Sequence, residues 1–299
     1  MLLEVENLRI AFKVEGRLSV PVRNVSFKIA GGQRVAIVGE SGCGKSLTAL
    51  SLGGLVDRAE ISGKITGGPK ISYVFQNPMQ SLNPVMKVGA QIAESLGKND
   101  KSEITGLLKA VSLPPETAKK YPCNLSGGQQ QRVMIAMALA AKSDLIVADE
   151  PTTALDVITQ KEVLDLVDRV ARERSTAVLL ITHNLGLVAR YSDFVNVMYA
   201  GEIVESGKVV EVLRSPRHPY TQGLAAAVPR LDAPKGTDLY DIKGTVPPPT
   251  DWPVGCAFSP RCPKAEKRCF EPTFVTCPLT QGVAGQSKCN YGQVKCNLV

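Results

Sequence analysis

The run "QRVAIVGESGCGKSLTALSL", residues 33–52, constrains this chain more than any other stretch. It sets G-x-x-x-x-G-K-[ST] at residues 39–46, after a compact β-branched strand pattern and ahead of a helix expected from Lys45 to about Leu52. Glycines place no Cβ in the way, so main-chain N–H groups of such a turn can wrap phosphate oxygens. The helix that follows aims its positive dipole end at the same charge. In that reading Lys45 reaches the β- and γ-phosphates of a nucleotide and Ser46 ligates Mg²⁺. A tight turn with an incidental lysine would account for neither flanking element.

A second strand supplies the acidic half of such chemistry. "LIVADE" is an apolar run that ends in Asp149 and Glu150, and carboxylates at the end of a buried strand need something cationic or protic to meet. Asp149 fits the carboxylate that holds Mg²⁺, and Glu150 fits the base that polarises an attacking water. "STAVLLITH" repeats the buried-strand pattern, with the amphipathic "ITQKEVLDLVDRVARER" between the two as a crossover helix. The fold class expected is α/β with a largely parallel sheet. "MLLEVENLRIAF" and "VRNVSFKI" alternate as half-buried antiparallel strands. From about 77 to 131 the pattern is helical, and beyond Leu231 it is turn-rich, which sets a domain boundary near 230.

With 299 residues and 44% apolar content the chain can bury one full core and has room for two domains. The apolar run "VMIAMALAA" is about half of the roughly 20 residues a membrane-spanning helix needs, so no span is expected. Glu4 and Glu6 stand where a secretory signal would carry basic residues, so the chain is expected to stay in the cytoplasm. Thiols are kept reduced there. Six of the eight cysteines fall between Cys256 and Cys296, and in that compartment they point to a metal or to plain thiols before disulfides. The net charge of +7 comes from 35 basic and 28 acidic residues without long like-charged runs. A solvated surface accounts for it; nucleic acid or an acidic membrane surface is the other reading. Cys43 would be a spacer in the phosphate loop or, at a helix N-terminus, an acidified and oxidisable thiol.

Residues 1–230 resemble the ATPase subunits of ATP-binding cassette (ABC) transporters. "NLSGGQQQR", residues 124–132, is similar to the signature motif of that family, and Ser126, Gly127 and Gly128 open a helix whose N–H groups can bind an anion. The resemblance implies a P-loop ABC-ATPase core with an antiparallel β subdomain and a helical subdomain at about 77–131. It implies nucleotide contacts from Phe12, Gly39, Ser41, Gly42, Cys43, Gly44, Lys45, Ser46, Leu47, Gln76 and Asp149. Ser126, Gly127, Gly128 and Gln129 would cap the nucleotide of an opposing subunit. Catalytic roles fall to Glu150, to Gln76 in "YVFQNP" and to His183 in "LLITHN"; Ser46, Gln76 and Asp149 would surround Mg²⁺. Asp156 resembles the aspartate at the dimer seam. Asn184 stands where the family has Asp after the histidine, and Phe12 where it more often has Tyr.

"SPRHPYTQGLAAAVPRL" and "GCAFSPRCPKAEKRC" resemble the tail of ATPases from the oligopeptide/dipeptide and nickel importers. That branch implies ATP hydrolysis coupled to peptide import, with nickel or opine import as alternatives. A soluble ABC ATPase of nucleic-acid or iron–sulfur metabolism is a further alternative, although 46–126 is too short for the coiled-coil insertion of a DNA-repair ATPase. The implied partners are a second, different ATPase, two membrane permeases and an external binding protein, at the cytoplasmic face of the membrane. The implied cofactors are ATP, Mg²⁺ and a [4Fe–4S] cluster on a small cysteine-rich C-terminal domain, 231–299. Cys256, Cys262 and Cys269 are spaced more widely than usual zinc pairs. The family pattern makes Cys296 the fourth ligand, with Cys277 or Cys289 as substitutes and zinc or free thiols as alternatives.

Overall fold

The computed structural model describes residues 1–151, 157–228, 240–271, 277–278 and 293–296. The chain opens with β1 (Leu3–Val14) and β2 (Arg17–Ile29). Glu15 and Gly16 between them both have positive φ, 49° and 77°, the backbone of a two-residue hairpin turn. Then follow β3 (Arg34–Val38), α1 (Lys45–Leu52), β4 (Glu60–Gly67) and β5 (Ile71–Val74). The helical stretch holds α2 (Pro78–Ser81), α3 (Val88–Leu96), α4 (Lys101–Ala110) and α5 (Gly127–Ala140). Next come β6 (Leu145–Asp149), α6 (Val157–Arg174), β7 (Ala177–Thr182), α7 (Leu185–Tyr191), β8 (Phe194–Tyr199) and β9 (Glu202–Lys208). Helices α8 (Val209–Arg214) and α9 (Pro219–Ala226) and the short strands β10 (Cys277–Pro278) and β11 (Gln293–Val294) complete the chain.

The chain divides into two compact units. The first comprises Met1–Leu2, Ile29–Gln33 and Gly68–Leu180. Its strands β5 and β6 run parallel, Val74 beside Ala148, so both carboxyl ends emerge together. Helix α5 packs against α3 and α4 through Val133, Ile92, Ile104 and Leu108, all buried. Asp100 starts α4 by accepting the N–H groups of Ser102 and Glu103, which satisfies donors that the first turn leaves open.

The second unit comprises Leu3–Lys28, Arg34–Gly67 and Ile181–Val299. Strands β1 and β4 pair antiparallel, as do β8 and β9, while β3 runs parallel to β8. Every residue of β3 after Arg34 is buried, the pattern of a strand covered on both faces. The core of this unit joins Val38, Val197 and Tyr199 to Tyr220, Ala257 and Phe258. Phe258 meets the rings of Tyr199 at 5.2 Å and Tyr220 at 5.4 Å, both edge-on. The described part of the expected cysteine-rich domain therefore shares this core; among the described residues it forms no core of its own. Trp252 extends the attachment, donating its indole N–H to the Val20 carbonyl at 2.8 Å.

His218 sits in the same core. Its Nδ1 accepts the Tyr220 N–H at 3.1 Å, and the His218 main-chain N–H donates to Glu205 Oε2 at 3.0 Å. Burial pushes the imidazole down from 6.5 to about 4, so the folded protein holds it neutral. In the unfolded chain it takes a proton near pH 6.5. Its contribution to stability is then complete above that pH and is lost as pH falls through 4, because the unfolded state binds the extra proton first. Melting curves are expected to show an acid-dependent loss of about 3 kcal/mol across this window. His218→Asn, which keeps a helix-capping oxygen, should lack that component; an unchanged pH profile would refute it.

Candidate phosphate-binding loop and acidic strand end

In the second unit β3 delivers the chain into the phosphate loop, and two glycines explain its path. A Cβ on Gly39 would lie 2.1 Å from the Met198 carbonyl oxygen. Gly44 has φ of 96°, and a Cβ there would lie 2.5 Å from the Pro21 carbonyl oxygen. No side chain fits at either position, so the loop's path requires glycine at both. Lys45 is buried, and its Nζ donates to the Gly39 and Glu40 carbonyls, each at 2.8 Å. Two neutral acceptors leave the ammonium charge available to an anion in the loop. Ser41, Gly42 and Ser46 are exposed and Leu47 is half-buried.

Cys43 is fully buried, 3.9 Å from Lys45 Nζ. Burial raises its thiol pKa, outweighing the pull of Lys45. Burial thus works against the acidified, oxidisable thiol and favours the spacer.

The first unit carries the acidic strand end. Asp149 closes β6 half-buried, and Glu150 follows with φ of 43°. A left-handed backbone costs a non-glycine residue about 1–2 kcal/mol, and such strain collects at functional sites. Gln76, exposed two residues beyond β5, donates from Nε2 to Glu150 Oε2 at 3.5 Å, so the parallel strand ends bring these two side chains together. The signature segment also lies in this unit. Ser126 caps α5 reciprocally: its Oγ accepts the Gln129 N–H at 3.3 Å, and Gln129 Oε1 accepts the Ser126 N–H at 3.1 Å. Ser126 and Gly127 are exposed, and a Cβ on Gly127 would meet nothing within 4 Å. The start of α5 is open to an opposing surface.

His183 follows β7 in the second unit and is exposed. Asn184 replaces the family aspartate without losing the cap: its Oδ1 accepts the Gly186 N–H at 2.8 Å. Phe12 is half-buried near the end of β1. Asp156 and Cys289 lie outside the described residues, as does the side chain of Cys277.

Cys256 and Cys262 are half-buried, and Cys269 and Cys296 are buried. Burial pushes Cys256 up to about 11, with the Cys296, Cys269 and Cys262 thiols adding to the rise. Cys262 is raised by burial and then by Cys296 and Cys269. Cys256 is thus within electrostatic range of the other three thiols. Among the described residues, however, no three His, Cys, Asp or Glu side chains group closely enough to hold a metal ion, so the expected metal centre is not preformed. Among those residues, no helix is long and apolar enough to cross a membrane.

Motif reading passes over three residues at the loop: Glu40 inside it, and Tyr220 and Arg261, which touch Glu40 from the C-terminal region. Their signal lies in "HPYT" and "SPRC", segments informative by resemblance before their contacts are known.

A glycine cradle ahead of a helix, a buried lysine inside it and an acidic strand end are the parts of a P-loop nucleoside-triphosphatase. A family model described as ABC transporter matches residues 22–153, and one described as oligopeptide/dipeptide transporter, C-terminal region, matches 204–269. The oligopeptide transport ATP-binding protein AppD of Bacillus subtilis is 42% identical over 92% of this chain and 93% of its own length. The dipeptide transport ATP-binding protein DppD of the same organism is 42% identical over 87% of this chain and 86% of its own. The dimeric post-hydrolysis structure of the ATP-binding cassette MJ0796, bound to ADP and Pi, superimposes with a TM-score of 0.62 at 27% identity, covering 70% of this chain and 99% of that one. The chain belongs to the ATP-hydrolysing subunits of the ABC transporter family, in the branch that carries the oligopeptide/dipeptide transporter C-terminal region.

Proposed function

We propose that this chain energises the import of dipeptides or oligopeptides by hydrolysing ATP at the cytoplasmic face of the membrane. The observation that carries this reading is the union, in one chain, of a phosphate loop that requires glycine at 39 and 44 with a C-terminal region of the peptide-transporter type packed into the same core. The relatives named for oligopeptide and dipeptide transport support it. The chain works with two membrane permeases, a second and different ATPase, and an external binding protein that selects cargo. Residues 1–230 form the nucleotide-binding part, with 77–131 as its helical subdomain, and 231–299 the C-terminal extension. Uptake of a labelled dipeptide by cells should be lost when the chain is removed and restored when it returns. Loss of nickel or opine uptake with intact peptide uptake would overturn the peptide reading.

At the site, ATP is the substrate and Mg²⁺ its counter-ion, supplying charge neutralisation on the phosphates. Ser41, Gly42, Cys43, Gly44, Lys45, Ser46 and Leu47 cradle the phosphates and Phe12 stacks on the base. Ser46, Gln76 and Asp149 would hold the cation. Glu150 takes the proton of the attacking water, His183 orients the terminal phosphate, and Gln76 reports the site's state to the permease side. Ser126, Gly127, Gly128 and Gln129 close over the nucleotide of the opposing subunit, an assignment the open start of α5 supports.

Cys256, Cys262, Cys269 and Cys296 have the donor chemistry of a [4Fe–4S] ligand set. A cluster would take one thiolate for each of its four irons. When bound it would staple the extension and offer a one-electron couple. Protein purified without oxygen is expected to be brown and to contain about four irons and four sulfides per chain. Colourless, iron-free, folded protein would rule the cluster out.

A further inference from the structure

Glu40 is the second residue of the phosphate loop and the hub of its fixation. Its N–H donates to the Tyr220 hydroxyl at 2.9 Å, and its carbonyl accepts from Lys45 Nζ at 2.8 Å. Its carboxylate accepts from Arg261 Nη1, 3.1 Å to each oxygen. Glu40 and Lys45 thus share a main-chain contact, and whatever holds Glu40 sets where the Lys45 ammonium rests.

Arg261 is built for that task. Its side chain is 5% exposed, and its fork is spent in full. Besides Glu40, Nη1 donates to the Tyr199 hydroxyl at 3.3 Å. Nη2 donates to the Ile242 and Gly244 carbonyls at 2.9 and 3.0 Å, and Nε to the Lys243 carbonyl at 2.9 Å. The guanidinium lies 5.7 Å from the Tyr199 ring centroid. A cation locked by this many partners cannot wander, and a lysine could not make the same set. Its charge matters as much as its place. Glu40 puts a carboxylate into a loop that must receive a triphosphate, and like charges at that range oppose binding; Arg261 cancels that charge.

Resting on the ATPase reading above, we infer that Arg261 is a positioning residue for nucleotide binding: through Glu40 it neutralises the phosphate loop and seats Lys45. The C-terminal extension thereby becomes part of the nucleotide site's scaffold. Arg261 immediately precedes Cys262, so the thiol segment and the phosphate loop are joined through one side chain.

The test titrates the purified full chain with a fluorescent ATP analogue and Mg²⁺, and measures KM and kcat on the assembled transporter. Arg261→Met is expected to weaken nucleotide affinity by about tenfold and raise KM to match, with kcat within about twofold. Arg261→Lys, which restores charge without the fork, should recover part of the loss. Glu40→Gln combined with Arg261→Met should be no weaker than Arg261→Met alone, because both cut one link. Wild-type affinity in folded Arg261→Met, or losses that add in the double variant, would overturn the inference. If Arg261→Met does not fold, Arg261→Lys carries the test: it is expected to bind nucleotide several-fold more weakly than wild type, and wild-type affinity there overturns the inference equally. Wild-type protein that binds no nucleotide would instead defeat the ATPase reading, and the same titration reports it.

Discussion

Replacing Glu150 with Gln is expected to lower ATP turnover by about 10²- to 10⁴-fold while ATP binding stays near wild type. The substitution keeps size and shape and removes only the ability to accept a proton. Its backbone is already committed: φ of 43° at the end of β6 is strain a scaffold keeps where a side chain must leave the strand direction. Gln can still lie beside Gln76, whose Nε2 is 3.5 Å from the Glu150 carboxylate, so the local fold should survive. The check is phosphate release from the assembled transporter alongside nucleotide affinity of the chain. Turnover unchanged in the variant would remove Glu150 from the base role. Affinity lost together with turnover would mean that the carboxylate serves binding rather than chemistry.

Gly44→Ala should cost about 100-fold or more in nucleotide affinity, well beyond Gly42→Ala. Both glycines have positive φ, 96° and 81°, so alanine pays the left-handed penalty of about 1–2 kcal/mol at either, roughly 5- to 30-fold if it falls entirely on binding. The surroundings separate them. A Cβ on Gly42 meets nothing within 4 Å, whereas on Gly44 it falls 2.5 Å from the Pro21 carbonyl oxygen, 3.0 Å from Met198 Cε and 3.1 Å from Val22 Cγ2. The methionine end can yield; the carbonyl is main chain of β2 and cannot without moving the strand. The loop must then shift, taking with it the N–H groups that face the phosphates. Equal losses for the two variants would show that backbone strain alone governs the loop.

Local pattern made much of this legible. Helix α1 begins and ends at the residues its motif and apolar spacing imply, and β3, β6 and β7 are the buried runs expected of them. Strands β4, β5, β8 and β9 escaped. β4, "EISGKITG", is exposed almost throughout, so it has no apolar alternation to announce it, and its place comes from pairing with β1. β5 is four residues long, too short for periodicity to separate it from a loop. The helical stretch also runs on: α5 continues to Ala140 because the signature segment caps its start and its apolar face carries it into the core.

By itself the sequence determined the chemistry the loop can perform, since a phosphate cradle needs glycine, lysine and serine at set spacings and those spacings are local. It also determined the family, through motifs that residue order alone displays. Only the tertiary structure decided what holds the cradle in place. Arg261 lies 221 positions from Glu40 and Tyr220 lies 180, and no periodicity relates residues so far apart. Their meeting follows from Phe258 and Tyr220 entering one core with Tyr199: burying that aromatic cluster brings the extension against the loop, and the guanidinium then finds the carboxylate.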